Sequence, residues 1–167
     1  MVRLGYLFLH HFATNGNLSI LHQDLSPKTT TMLTGKKLSD EPLHLGLDAT
    51  AYSLSKITGM EWYEKYSKDT EADGNEGRLV STHTFSESWD MWEMHPEGEE
   101  VVICTKGVIT LHQDDGKNAG LQTIVLREGE YAVNPKGVWH TADCNATCSA
   151  IFITPGRGTQ HKPRDGE

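Results

Sequence analysis

From residue 79 to residue 154 the chain breaks into short apolar or alternating runs, each closed within a few residues by a glycine, proline, asparagine or aspartate turn signal. That cadence leaves no room for long helices. The runs read as strands over 79–84, 89–95, 100–105, 108–112, 121–126, 131–134, 140–144 and 148–154. Short strands of this number bury their apolar faces by packing as two sheets, so the sequence predicts an all-β, antiparallel barrel of jelly-roll type. One helix is expected at 58–70, where Thr58 is placed to cap, Glu61 follows three residues later, and Trp62, Tyr63 and Tyr66 recur at helical spacing. Asp73, Gly74, Asn75 and Gly77 then stop it. The expected organisation is an N-terminal extension over 1–78 that packs on the barrel, the barrel over 79–155, and a tail over 156–167.

A chain of 167 residues with 37% hydrophobic content is suited to one core. Its net charge of −8 carries no basic footprint, which argues against nucleic acid and anionic membranes as partners, and the basic residues Arg157, Lys162 and Arg164 read as a solvated tail. Cys104, Cys144 and Cys148 are odd in number and clustered late, a pattern that suits packing in a reducing compartment, so a cytoplasmic location is expected. The first twelve residues are apolar only briefly, and His10 and His11 interrupt them without a small-residue cleavage site after. They read as a strand or a disordered start, too short to span a bilayer.

Within the barrel, two blocks carry the chemistry. In the first, Glu93 and His95 are two apart and share one strand face, and Glu100 opens the next strand. In the second, Gly129 is followed by Pro135, Gly137 and His140, with His140 on the strand after the turn. A small barrel can gather these four side chains around one metal. The blocks resemble the two motifs of the cupin superfamily: His-x-His, three or four residues, Glu, six residues, Gly, and then Gly, five residues, Pro-x-Gly, two residues, His. The likeness spans residues 85–154. It implies a small jelly-roll barrel holding one divalent ion. Two positions depart from the pattern, since Glu93 stands where the family has its first histidine and Cys144 where an asparagine is frequent.

His95, Glu100 and His140 form a two-histidine, one-carboxylate set, the composition of non-haem iron(II) oxygenases. Glu93 has two open roles. As a fourth ligand it makes the donor set neutral around a divalent ion and favours harder metals, Mn(II) or Fe(II), with Zn(II) or Ni(II) as further candidates. Off the metal, it is a carboxylate in an apolar pocket, able to shuttle a proton. Trp89, Met91, Val102 and Phe152 are expected to wall that pocket, with Cys144 and His83 as further lining candidates and Arg157 or His161 at its mouth. The expected activity is a metal-dependent dioxygenase acting on a small organic molecule. An isomerase or lyase, a non-catalytic binding module and a structural dimerisation barrel are the alternatives. The strand at 89–95 is apolar on both faces, so Trp92, Met94, Val101 and Ile103 need a cover: the N-terminal region, a second copy in a homodimer, or both.

Overall fold

In a computed structural model of the chain, residues 32–116 and 120–164 are described. The opening segment, including His10, His11 and His22, lies outside them. Contacts divide the chain into two units, Met1–Thr34 and Gly35–Glu167, and the barrel belongs to the second. Its elements are β1 (Leu43–Leu45), β2 (Ala51–Ser53), α1 (Met60–Asp69), β3 (Arg78–Phe85), β4 (Met91–Met94), β5 (Glu100–Lys106), β6 (Val108–Asp114), β7 (Leu121–Arg127), β8 (Tyr131–Asn134), β9 (Trp139–Asp143), β10 (Cys148–Thr154) and β11 (Gln160–Pro163). They build two antiparallel sheets, β2-β1-β3-β10-β5-β8 and β11-β4-β9-β6-β7. All eight predicted strands are present as β3 to β10. The expected limits of 79 and 155 are too narrow, because β1 and β2 extend the first sheet and β11 extends the second.

Alternation along the strands builds the core. On β5 the inward residues are Glu100, Val102 and Cys104; on β6, Ile109, Leu111 and Gln113; on β8, Ala132 and Asn134. Neighbouring strands run antiparallel, so the first residue of β5, the last of β8, the late Gln113 of β6 and the early His140 of β9 fall toward one end. The polar inward residues therefore collect at that end. Val102, Cys104, Ile109, Leu111, Leu126, Ala142, Cys148, Ala150 and Phe152 fill the rest as a continuous apolar cluster.

Between β5 and β6 a single residue, Gly107, turns the chain with φ +77°, and a Cβ there would lie 2.9 Å from the Thr147 carbonyl oxygen. Gly107→Ala is expected to destabilise the fold by about 2 kcal/mol through backbone strain and this clash, read as a lower urea midpoint at unchanged slope.

The helix forms where expected but not as expected. Gly59, with φ 141°, is the N-cap, and no side chain caps the helix, so Thr58 and Glu61 do not make a capping box. Trp62 stacks on Tyr66 at 5.5 Å, and the Tyr66 hydroxyl meets Nδ1 of the fully buried His44 at 2.9 Å. His44 Nε2 is 2.8 Å from Asp73 Oδ2, which ties α1 to β1 through one imidazole.

The basic tail is likewise not free. Lys162 lies on β11 with its amine over the rings of Trp92 and Trp139, at 5.7 and 4.3 Å, so strand β11 itself supplies part of the cover that Trp92 needs. Met94, Val101 and Ile103 are half-buried. Arg164 bonds Asp143 at 2.6 Å, and the other oxygen of Asp143 is 2.7 Å from His112. The Arg164 bond, reinforced by His112, holds the Asp143 carboxyl down at about 2, below its ordinary 3.8. A depressed carboxyl contributes stability above its unfolded pKa and loses it as pH falls through the folded one. With Asp143 35% exposed, solvent screening leaves about 1 kcal/mol. The stability gap between the parent and Asp143→Asn, measured by urea unfolding, is expected to close by that amount from pH 5 to pH 2.

Candidate metal centre

Four of the predicted residues meet at the polar end of the barrel. One donor atom from each of Glu93, His95, Glu100 and His140 lies within 4.8 Å of all the others. Strand pairing explains the meeting. His161 of β11, Glu93 of β4, His140 of β9 and Gln113 of β6 lie directly opposite one another in turn, and so form one row across the second sheet. Glu100 faces that row from the first sheet, and His95 follows immediately after β4.

Each side chain is fixed from behind. Glu100 is buried, and its Oε1 accepts from the Thr154 hydroxyl at 2.6 Å and its Oε2 from Asn134 Nδ2 at 3.0 Å. Asn134 in turn accepts from Gln113 Nε2 at 2.7 Å, which links the two sheets. His140 donates from Nδ1 to the Val138 carbonyl at 3.1 Å. His95 Nδ1 lies 3.0 Å from the Thr159 hydroxyl, which itself donates to the Gly156 carbonyl and so accepts from the ring. With both rings neutral, this places the proton on Nδ1 and leaves Nε2 with its lone pair.

Those two Nε2 atoms are the decisive feature. They are buried without a hydrogen-bond partner, yet they stand 3.4 Å (His95) and 3.3 Å (His140) from the Glu100 oxygens. Two lone pairs aimed beside a buried carboxylate are electrostatically costly on their own. Ligands held about 2.1 Å from one ion are spaced about 3.0–3.4 Å apart, so the separations fit a shared divalent cation. The barrel topology brings the residues of both sequence motifs to one interior point, as the cupin resemblance implies. The fold is a two-sheet antiparallel jelly roll of the cupin kind.

Solved structures similar to this barrel include a protein of Neisseria meningitidis (25% identity, 46% of this chain and 71% of that one, TM-score 0.39). A cupin-2 domain protein of Shewanella frigidimarina is similar too (24%, 52% and 71%, 0.39), as is a hydroquinone 1,2-dioxygenase of Sphingomonas with 4-hydroxybenzoate bound (18%, 46% and 59%, 0.40). No family model matches the chain, and no curated protein matches it.

The charges at the centre follow from burial and proximity. Burial opposes the charge of Glu100, but the His140 and His95 imidazoles hold its carboxyl far below the ordinary range. Burial, reinforced by the neighbouring Glu100, pushes Glu93 up. For His95, burial works against the charge, yet Glu100 and Glu93 beside it leave the imidazole raised. On the far side of Glu93, His161 Nε2 lies 3.3 Å from Oε1.

Above the cluster opens a cavity of about 800 Å³. Trp89, Met91, His83 and Phe152 line it as expected, and His161 joins them. Val102, Cys144 and Arg157 do not. Val102 pairs with Phe152 inside the core and has no exposure, while Cys144 lies just past the end of β9, ~13 Å along the strand from His140. The Cys144 thiol is pushed up to about 12, first by burial and then by Cys148 beside it, and behaves as apolar packing. Arg157 lines a small separate recess beside α1. Asn134, Gln113, Thr154 and Thr159 brace the cluster from behind and are positions that sequence reasoning misses. Asn134 carried the one available signal, a buried-phase polar residue directly before the motif proline.

No helix among the described residues is long and apolar enough to cross a membrane.

Proposed function

We propose that this chain is a cupin-type metalloprotein that acts on a small organic molecule, with dioxygenase chemistry at a single Fe(II) or Mn(II) ion. The supporting observation is the pair of buried, unpartnered Nε2 atoms beside Glu100. His95, Glu100 and His140 would hold the ion, with Glu93 next to it. When bound, such an ion supplies Lewis acidity and redox access to dioxygen.

The chain's own residues do the rest. Thr159 and the Val138 carbonyl keep both imidazoles in the ligating tautomer, and the Gln113–Asn134 link keeps Glu100 aimed. Trp89, Phe85 and Phe152 form an apolar wall that excludes water and orients a ring. Glu93 faces the cavity with its carboxyl pushed up by burial, so it holds a proton at higher pH than an ordinary carboxylate. That same placement is what favours the second reading, a proton-transferring isomerase or lyase in which Glu93 Oε1 or Oε2 moves the proton.

The test is elemental mass spectrometry on protein purified without a histidine tag or chelator, followed by oxygen uptake with aromatic substrates. Near one equivalent of Fe or Mn and metal-dependent oxygen consumption are expected. Protein that takes up no metal after incubation with Fe(II), Mn(II) or Zn(II) would reject the proposal. Loaded protein that turns substrate over without consuming oxygen would select the isomerase or lyase.

A further inference from the structure

The charge around the cavity is one-sided. Among the described residues its lining holds five carboxylates and neither lysine nor arginine. Glu64 on α1, together with Glu87 and Asp90 before β4, is exposed and stands at the solvent-facing side, while Glu93 and Glu100 lie at the metal end. His83 adds no positive charge at neutral pH, because burial lowers its pKa. At the solvent-facing side an approaching anion therefore meets like charge, and a cation meets the opposite.

The walls are aromatic. Phe85, Trp89 and Phe152 sit with ring centroids 5.5 to 6.1 Å apart, at tilted or edge angles, and His83 packs on Phe152 at 5.7 Å. Ring faces beside carboxylates are the features that retain an organic cation or a neutral ring, and the described lining offers an aromatic carboxylate neither lysine nor arginine to pair with.

We infer that the ligand of this cavity is a neutral or cationic aromatic molecule, and that aromatic carboxylates are disfavoured. As a substrate assignment this rests on the metalloprotein reading above, but the ligand class itself follows from the lining.

Three probes isolate charge on one ring: phenol, tyramine and 4-hydroxybenzoate. Calorimetric titration of the full chain at pH 7.5, both Zn(II)-loaded and metal-stripped, is expected to give at least tenfold tighter binding of phenol and tyramine than of 4-hydroxybenzoate. In Glu64→Gln/Glu87→Gln, two exposed changes outside the metal site, the gap is expected to narrow at least threefold. Equal or tighter binding of 4-hydroxybenzoate by the parent overturns the inference, as does failure of all three probes to bind, or a gap that the double variant leaves unchanged. The two proposals separate cleanly. Protein that takes up no metal but keeps the charge preference retains the ligand class and loses the metal reading, whereas metal-loaded protein with the preference reversed does the opposite.

Discussion

His140→Ala is expected to abolish stoichiometric metal binding, weakening affinity for Fe(II) or Mn(II) by ~100-fold or more. The imidazole is fully buried, and its Nδ1 is committed to the Val138 carbonyl. The nearest substitute in the same row, His161, stands on the other side of Glu93. At a metal concentration ~100 times its Kd the parent gains about 2.7 kcal/mol of stability, whereas a variant weakened 100-fold gains about 0.4 kcal/mol. Urea unfolding with and without metal measures the difference. An undiminished gain in His140→Ala would place the ion elsewhere. Glu93→Gln, prepared identically, sorts the two roles of that residue, since retained metal with lost turnover marks a base and lost metal marks a ligand.

Asn134→Leu is expected to cost about 3 kcal/mol in the metal-free protein and a further ~10-fold or more in metal affinity. The leucine removes the donor to Glu100 Oε2 and the acceptor of Gln113 Nε2 together, leaving a buried carboxylate with only the Thr154 hydroxyl and the two imidazoles beside it. Gln113 keeps its bond to the Val133 carbonyl, so the loss falls mainly on Glu100. The paired measurements are the urea midpoint without metal and the metal titration of the folded variant. An unchanged midpoint would show that the link between the sheets contributes nothing to stability.

The barrel strands and the four clustered residues are legible in the sequence for the same reason. A period of two with frequent turns gives each strand a definite inward face, and antiparallel pairing converts sequence order into a common level. Glu93, His95, Glu100 and His140 follow from that arithmetic. Strand β11 is not legible, because Gln160 to Pro163 are all exposed, include no apolar alternation and end in proline. It is a strand only because β4 offers it an edge. The groups that orient the donors are hidden for a related reason: Thr159 is an ordinary loop residue in sequence, and only the return of the chain past His95 gives its hydroxyl a role. The capping residue of α1 fails to follow local preference because Gly59, with its positive φ, starts the helix one residue past Thr58.

The pairing of β11 with β4 bears on how much chain makes one working unit. A fragment cut to the two motif blocks would keep all four donor residues and lose Thr159, His161 and Arg164, which set a tautomer, face the cavity and clasp the β4 lead-in. Motif searches and grafts that copy only the donors would thus transfer the ligands without their orientation. In this barrel the portable part is longer than its signature.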